Sequence, residues 1–318
     1  MIAYHYLERG IAGLGRAHLA GSMSGHLGSA LLAGYFLGEM MPDLDPAVSF
    51  AIERDLERVL AGEETVWFDP AKTGVTVDGL FAVEVDTGRA GAGAVKRLAA
   101  ALEPNLCRLR QSGHNVIFAS LAMRALVGHP DLATEARVDG AAKLLSAFDT
   151  QGPGRGYLGK GRGWVSPKTT AEEDGHELPA YQDLEAMAVA TFDLVIETAG
   201  ERRRGYGDHF HLIDHAAALV DLADCGFPDL AGKGIAAHRE HFARLKALPV
   251  LDGELGKLVK SEIDPFSPDY WTRRESVQWE AWLTHRIKCL YGFVVVSRLV
   301  EDDKKREAAR DALRYLMA

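Results

Sequence analysis

Cysteine is scarce in this chain: Cys107, Cys225 and Cys289 are the only three in 318 residues. Their number is odd and no CxxC spacing occurs. That excludes a disulfide framework and a cysteine-based metal site, and it points to a reducing, cytoplasmic compartment. Proline is sparse at 12 residues while glycine is abundant at 33, a balance that suits turns between well-formed helices and excludes a proline-rich linker protein. Positive charge is in deficit. With 36 Lys and Arg against 45 Asp and Glu, the net charge is −9 at pH 7, so the chain as a whole should repel nucleic acid and anionic membrane. The opening MIAYHYLERG lacks a basic stretch followed by an apolar one, and predicts no signal peptide. Complete catalytic signatures are missing as well: there is no GxSxG elbow, no HExxH and no dinucleotide glycine fingerprint after a strand.

One long uncharged run exists. Residues 19–38 contain no Lys, Arg, Asp or Glu and include Gly21-x-x-x-Gly25 and Gly34-x-x-x-Gly38, a spacing used where membrane helices pack closely. Ser22, Ser24, His26 and Ser29 make its first half nearly neutral in hydropathy, and the flanks lack a Lys/Arg cluster. The run therefore reads as a buried helix whose glycines let neighbours approach, with no membrane partner.

The rest of the chain has mostly a helical period. Apolar residues recur at i, i+3 and i+4 over 2–20 and 22–40, and Asp45 caps a helix reaching about Leu60 with Glu53, Arg54, Asp55, Glu57 and Arg58 on its outer face. Further helices are predicted over 91–102, 113–127, 132–148, 184–198, 209–225, 228–248, 274–300 and 302–317. One segment has a strand character: Val75, Val77, Leu80, Phe81, Val83 and Val85 predict a short hairpin around Asp78-Gly79. The joints 63–90, 150–181 and 261–273 are long, and loops of that length inside a helical domain are more often functional than not. The expectation is an all-α fold, a single domain over 1–318 arranged as an α/α toroid with long loops at one mouth.

Histidines supply the chemistry. His211 and His215 stand four apart on one helix face, with Asp208 one turn earlier and Ala218, Leu219 and Leu222 completing an apolar stripe. Two imidazoles on a buried face can share a metal, relay a proton or simply bond to neighbours, and the spacing alone leaves all three open. His114 follows Ser112-Gly113 at the start of an apolar helix, where the dipole disfavours imidazolium and a neutral ring is a plausible base. His26 lies mid-helix in a segment too apolar to be exposed.

Residues 270–300 mix polar and aromatic groups on one face: Glu275, Gln278, Trp282, His285 and Cys289, beside a stripe that includes Trp279. Buried polar groups need partners, so a face of this kind suits an aromatic-lined pocket with Tyr270 and Trp271 at its mouth. In the first turn of that helix, Glu275 binds or orients while His285 is the better proton-transfer group.

Two motifs look specific and are not. GRGYLGK over 154–160 has the spacing of a phosphate-binding loop, but Gly161 replaces the Ser/Thr and neither a strand before nor a helix after it is predicted. Its Arg155, Lys160 and Arg162 leave open a basic cover over an anionic substrate. His238-x-x-His241 sits among Arg239, Glu240 and Arg244 and reads as a solvated face.

Phe210, His211 and His215, the pair His114-Asn115 opening an apolar helix, and Thr284-His285 together resemble the questin-oxidase-like family over about 112–300. The resemblance implies an all-helical oxidoreductase that inserts oxygen into an aromatic polyketide. Two features depart from the pattern: Leu212 stands where proline usually follows the first His, and the glycine-rich loop has no counterpart. Taken together, the residues predict an enzyme enclosing a small, partly apolar molecule, with His114, His211, His215 and His285 catalytic. Substrate contacts would come from His26, Tyr270, Trp271, Glu275, Trp279 and Trp282. No metal ligand set and no cofactor is identified, and homo-oligomerisation stays open. A lyase or isomerase, or a non-catalytic helical scaffold, is the alternative.

Overall fold

The computed structural model describes residues 1–83, 88–272 and 281–318. The fold is all-α, and helix covers 65% of the described residues. In chain order the helices are α1 (Tyr4–Ala20), α2 (Gly25–Met40), α3 (Pro46–Leu60), α4 (Pro70–Thr73), α5 (Val77–Phe81), α6 (Ala94–Leu106), α7 (His114–Gly128) and α8 (Glu135–Ser146). A two-stranded antiparallel ribbon follows, β1 (Gly156–Tyr157) paired with β2 (Trp164–Val165). Then come α9 (Leu184–Thr198), α10 (Asp208–Asp224), α11 (Pro228–Lys246), α12 (Asp252–Leu255), α13 (Pro268–Thr272), α14 (Trp282–Ser297) and α15 (Asp303–Leu316).

Helix starts follow from local chemistry. Asp45 accepts from Ala47 N at 2.8 Å with Pro46 in the first turn of α3, and Asp183 accepts from Ala186 N at 2.7 Å to open α9. The hairpin expected around Asp78-Gly79 is not formed there. Thr76 caps α5 by accepting from Gly79 N at 3.0 Å, so the two residues read as a turn lie inside a short helix. Capping satisfied the backbone locally and outweighed the β-branched alternation.

Two compact units arise. The first comprises 1–104, 117–149 and 266–291; the second comprises 105–116, 150–265 and 292–318. In the first, α1 packs on α2, α5 and α8. Every residue of α2 from Gly25 to Gly38 is buried, which leaves no polar face and explains the uncharged run. Its glycines serve close packing: a Cβ on Gly28 would lie 2.7 Å from Gly10 O and Leu14 N of α1. Among the described residues no helix is long and apolar enough to cross a membrane. Asp55, expected on the outer face of α3, is instead fully buried and paired with Arg286 and Arg58. In the second unit α10 is buried continuously from His209 to Leu222 and packs against α9 and α11, while α15 covers α9. Leu194, Tyr206, Leu212, Leu245 and Leu248 form one cluster of its core.

Candidate functional site

Backbone strain marks one place in the second unit. Among the described residues, only four other than glycine have positive φ: Gln111 (43°), Ser112 (61°), Tyr206 (53°) and Asp208 (52°). With Gly113 and Gly207 between or beside them, they form two left-handed turns, 111–113 and 206–208. Each turn delivers the chain into a histidine-bearing helix, the first into α7 at His114 and the second into α10 just before His211. Such conformations cost on the order of 1–3 kcal/mol each and persist only where surroundings enforce them.

The enforcing element is the start of the glycine-rich segment. Gln111 N donates to Gly152 O at 2.8 Å and Ser112 N to Pro153 O at 2.9 Å. A few residues on, Tyr206 N donates to Arg155 O at 2.9 Å and Tyr157 N to Arg204 O at 2.8 Å. One stretch, 152–157, therefore holds both turns. The segment with the spacing of a phosphate loop is a ribbon, not a strand-to-helix turn. Gly207 is required by close approach as well as by its φ of 71°, since a Cβ there would meet His211 Nδ1 at 2.0 Å.

The turns bring His114 and His211, 97 positions apart, into direct contact. Their Nε2 atoms lie 2.9 Å apart with ring centroids at 4.5 Å, and both residues are buried. His211 Nδ1 bonds to Gly207 O at 2.9 Å, and His114 Nδ1 bonds to Gln111 O. A carbonyl oxygen only accepts, so both Nδ1 atoms carry hydrogen. A neutral imidazole has one N–H, so two neutral rings would oppose two lone pairs at hydrogen-bond distance. With both Nδ1 atoms donating, the two Nε2 lone pairs face each other at 2.9 Å, an arrangement that a shared proton or another cation would relieve.

One helical turn along α10, His215 enters a different network. His241 Nε2 donates to Tyr206 O at 2.8 Å, which leaves His241 Nδ1 as an acceptor for His215 Nδ1–H at 3.2 Å. His238 Nε2 donates to Leu212 O at 3.2 Å and its Nδ1 accepts from Tyr181 O–H at 2.7 Å. All three rings are satisfied as neutral species. Burial pushes His241 down to about 4 and His238 to about 3, and it holds His215 well below the ordinary imidazole value, with the neighbouring rings adding to the effect for His215 and His238. His238 and His241 were expected on a solvated face. They are fully buried, because their charged neighbours are themselves tied inward: Arg244 pairs with Glu240 and Asp174, and Arg239 donates to Pro179 O. At the first residue of α10, Asp208 accepts from Gly205 N at 2.6 Å, and desolvation lifts its carboxyl to about 6.

The first unit holds a second histidine pair. His26 and His285 have ring centroids 5.1 Å apart, and each Nδ1 bonds to a backbone carbonyl of its own helix or the turn before it, Met23 O at 2.9 Å and Ala281 O at 2.7 Å. Trp67, which no motif had singled out, stacks on His26 at 3.6 Å and lies 5.5 Å from His285. Its indole N–H donates to Glu64 at 2.9 Å, and the same buried carboxylate accepts from Leu283 N at 2.5 Å and Thr284 N at 3.3 Å at the start of α14. Burial raises the Glu64 pKa against the lowering effect of these bonds. The only sequence signal for Glu64 and Trp67 was their place in a long joint.

Tyr270, Trp271 and Trp282, expected as pocket walls, are buried around Arg286, whose guanidinium lies 6.0, 4.8 and 5.2 Å from the three rings. Glu275 and Trp279 lie outside the described residues. No protein-family model, no curated protein and no solved structure matches this chain.

Proposed function

We propose that this protein is an enzyme that moves protons on a small, partly apolar organic molecule, with His114 and His211 as its proton-transfer groups. The observation that carries the reading is the Nε2···Nε2 contact of 2.9 Å between rings whose Nδ1 atoms are already committed to carbonyls. A proton can enter and leave that pair only through Nε2, so the pair either gives its shared proton or takes one back. A buried setting favours a substrate that is itself largely apolar, and strained approach turns are a common cost of holding such groups in place. His26 and His285 of the first unit repeat the Nδ1-to-carbonyl pattern, with Trp67 stacked on His26.

The test is hydrogen exchange at carbon. The protein is incubated in D2O with a panel of enolisable aromatic ketones, and deuterium uptake is followed by mass spectrometry. Wild-type catalysis, lost by about 100-fold or more in His114→Gln and His211→Gln at unchanged melting temperature, is the expected result. Exchange equal in wild type and both variants contradicts the reading.

A second reading has an observation of its own. Two of the three motifs that resemble questin-oxidase-like proteins contribute the two members of this pair, which favours oxygen-inserting oxidoreductase chemistry on an aromatic polyketide. Oxygen uptake with a hydroxyanthraquinone, abolished by His211→Gln, would support it; no uptake would remove it.

A further inference from the structure

The ribbon of the glycine-rich segment carries a feature that the histidine pair does not use. Trp164, on β2, is 42% exposed. The guanidinium carbon of Arg155 lies 4.6 Å from its ring centroid and that of Arg204 lies 5.4 Å away. Both arginines are exposed. Their placement is set by backbone pairing: Gly156 bridges Gly205, with Arg155 O accepting from Tyr206 N and Arg204 O accepting from Tyr157 N. The close approach depends on glycine, because a Cβ on Gly205 would lie 2.5 Å from Gly156 Cα.

Two like charges on one indole repel each other. Cation–π attraction at such exposed contacts is modest. Among the described residues, neither guanidinium has a carboxylate within 4.0 Å, although the chain has nine more acids than bases. Asp208, the carboxylate that feels the Arg204 charge, accepts from Gly205 N at 2.6 Å, and Glu254 accepts from Tyr157 O–H at 2.6 Å and from Lys160 N at 3.0 Å. Lys160 and Arg162, in the turn that joins the two strands, add exposed positive charge beside the platform.

We infer that Arg155, Arg204 and Trp164 form a binding site for the phosphate group of a small molecule. Phosphate is preferred to carboxylate because its several oxygens can meet two planar guanidinium forks at once, each through paired N–H···O bonds. The indole holds the two forks in place before the anion arrives, which lowers the ordering cost of binding. This site does not depend on the role assigned to His114 and His211.

The experiment is a titration of the full chain with inorganic pyrophosphate at constant ionic strength, following the Trp164 indole N–H by 1H–15N correlation. Saturable movement of that signal is expected. Arg155→Gln and Arg204→Gln should each weaken binding about tenfold, the double variant should abolish it, and His211→Gln should leave it unchanged. Citrate and a single-stranded oligonucleotide serve as the other arms. Pyrophosphate binding that is unaffected in the double variant, movement that never saturates, or response to citrate or the oligonucleotide alone would each overturn the assignment.

Discussion

His211 and His215 stand one turn apart on α10, both buried, yet the two rings are held in opposite ways. From His215 the donors and acceptors run through His241 to the Tyr206 carbonyl, and beside it His238 lies between Tyr181 and the Leu212 carbonyl. Every nitrogen with an assigned partner is matched by a neutral ring. From His211 the bonds reach His114, with both Nδ1 atoms donating to carbonyls and the two Nε2 atoms facing each other at 2.9 Å. Burial alone therefore does not separate a structural histidine from a reactive one. Under the proposed function the hydrogen-bond count does, because a network complete with neutral rings resists protonation while two facing lone pairs attract a proton.

The trio, together with His209 at the start of α10, dominates acid stability. His241 and His209 are held at about 4 and His238 at about 3, while the same rings in the unfolded chain titrate near 6.5. Between those values the unfolded chain binds more protons, so stability rises with pH there and is lost as pH falls from 6.5 toward 3. At about 1.36 kcal/mol per pH unit, these shifts correspond to roughly 3 kcal/mol each for His241 and His209 and about 5 kcal/mol for His238. Asp208, lifted to about 6, works the other way, binding more protons in the fold and weakening it as pH rises toward 6. Urea midpoints at pH 6.5, 5 and 4 should fall steadily, and a flat profile would break the comparison at its root.

The pair should dominate turnover instead. His211→Gln is expected to reduce exchange at carbon by about 100-fold while shifting stability little, and His238→Gln to leave the activity per folded molecule within a few-fold of wild type. Equal losses in the two variants would mean that the rings do not differ in role. His241→Ala, which strips the Tyr206 carbonyl and His215 of their partner, should cost about 2 kcal/mol in chemical denaturation. Tyr181→Phe removes only the hydroxyl that His238 Nδ1 accepts from, and about 1 kcal/mol is the expected loss.

Much of the helical frame was legible because apolar periodicity and caps agree. α9 was placed residue for residue, and Asp45 was read as the cap of α3. The reading failed where side-chain hydrogen bonding reversed a local signal. Thr76 converted the Asp78-Gly79 turn into helix, and Asp55 went inward because Arg286 was there to meet it. His114 and His211 were each singled out, since a helix start and a buried face are local properties. Their contact spans 97 positions and depends on two left-handed turns held by 152–157, which no spacing rule contains. His238 and His241 were misread for a related reason: charged neighbours suggest solvent unless their partners in the fold, here Asp174 for Arg244 and the Pro179 carbonyl for Arg239, are known.

The central claim concerns one proton, and imidazole 15N–1H correlation on histidine-labelled protein reads it directly. For His114 and His211 both Nδ1 atoms should be protonated, and both Nε2 atoms should show shifts intermediate between the protonated and lone-pair types, as a shared proton requires; in His241→Ala the trio's signals should change more than the pair's. Finding either ring of the pair as an ordinary neutral tautomer, with its Nδ1 bare, would contradict the account.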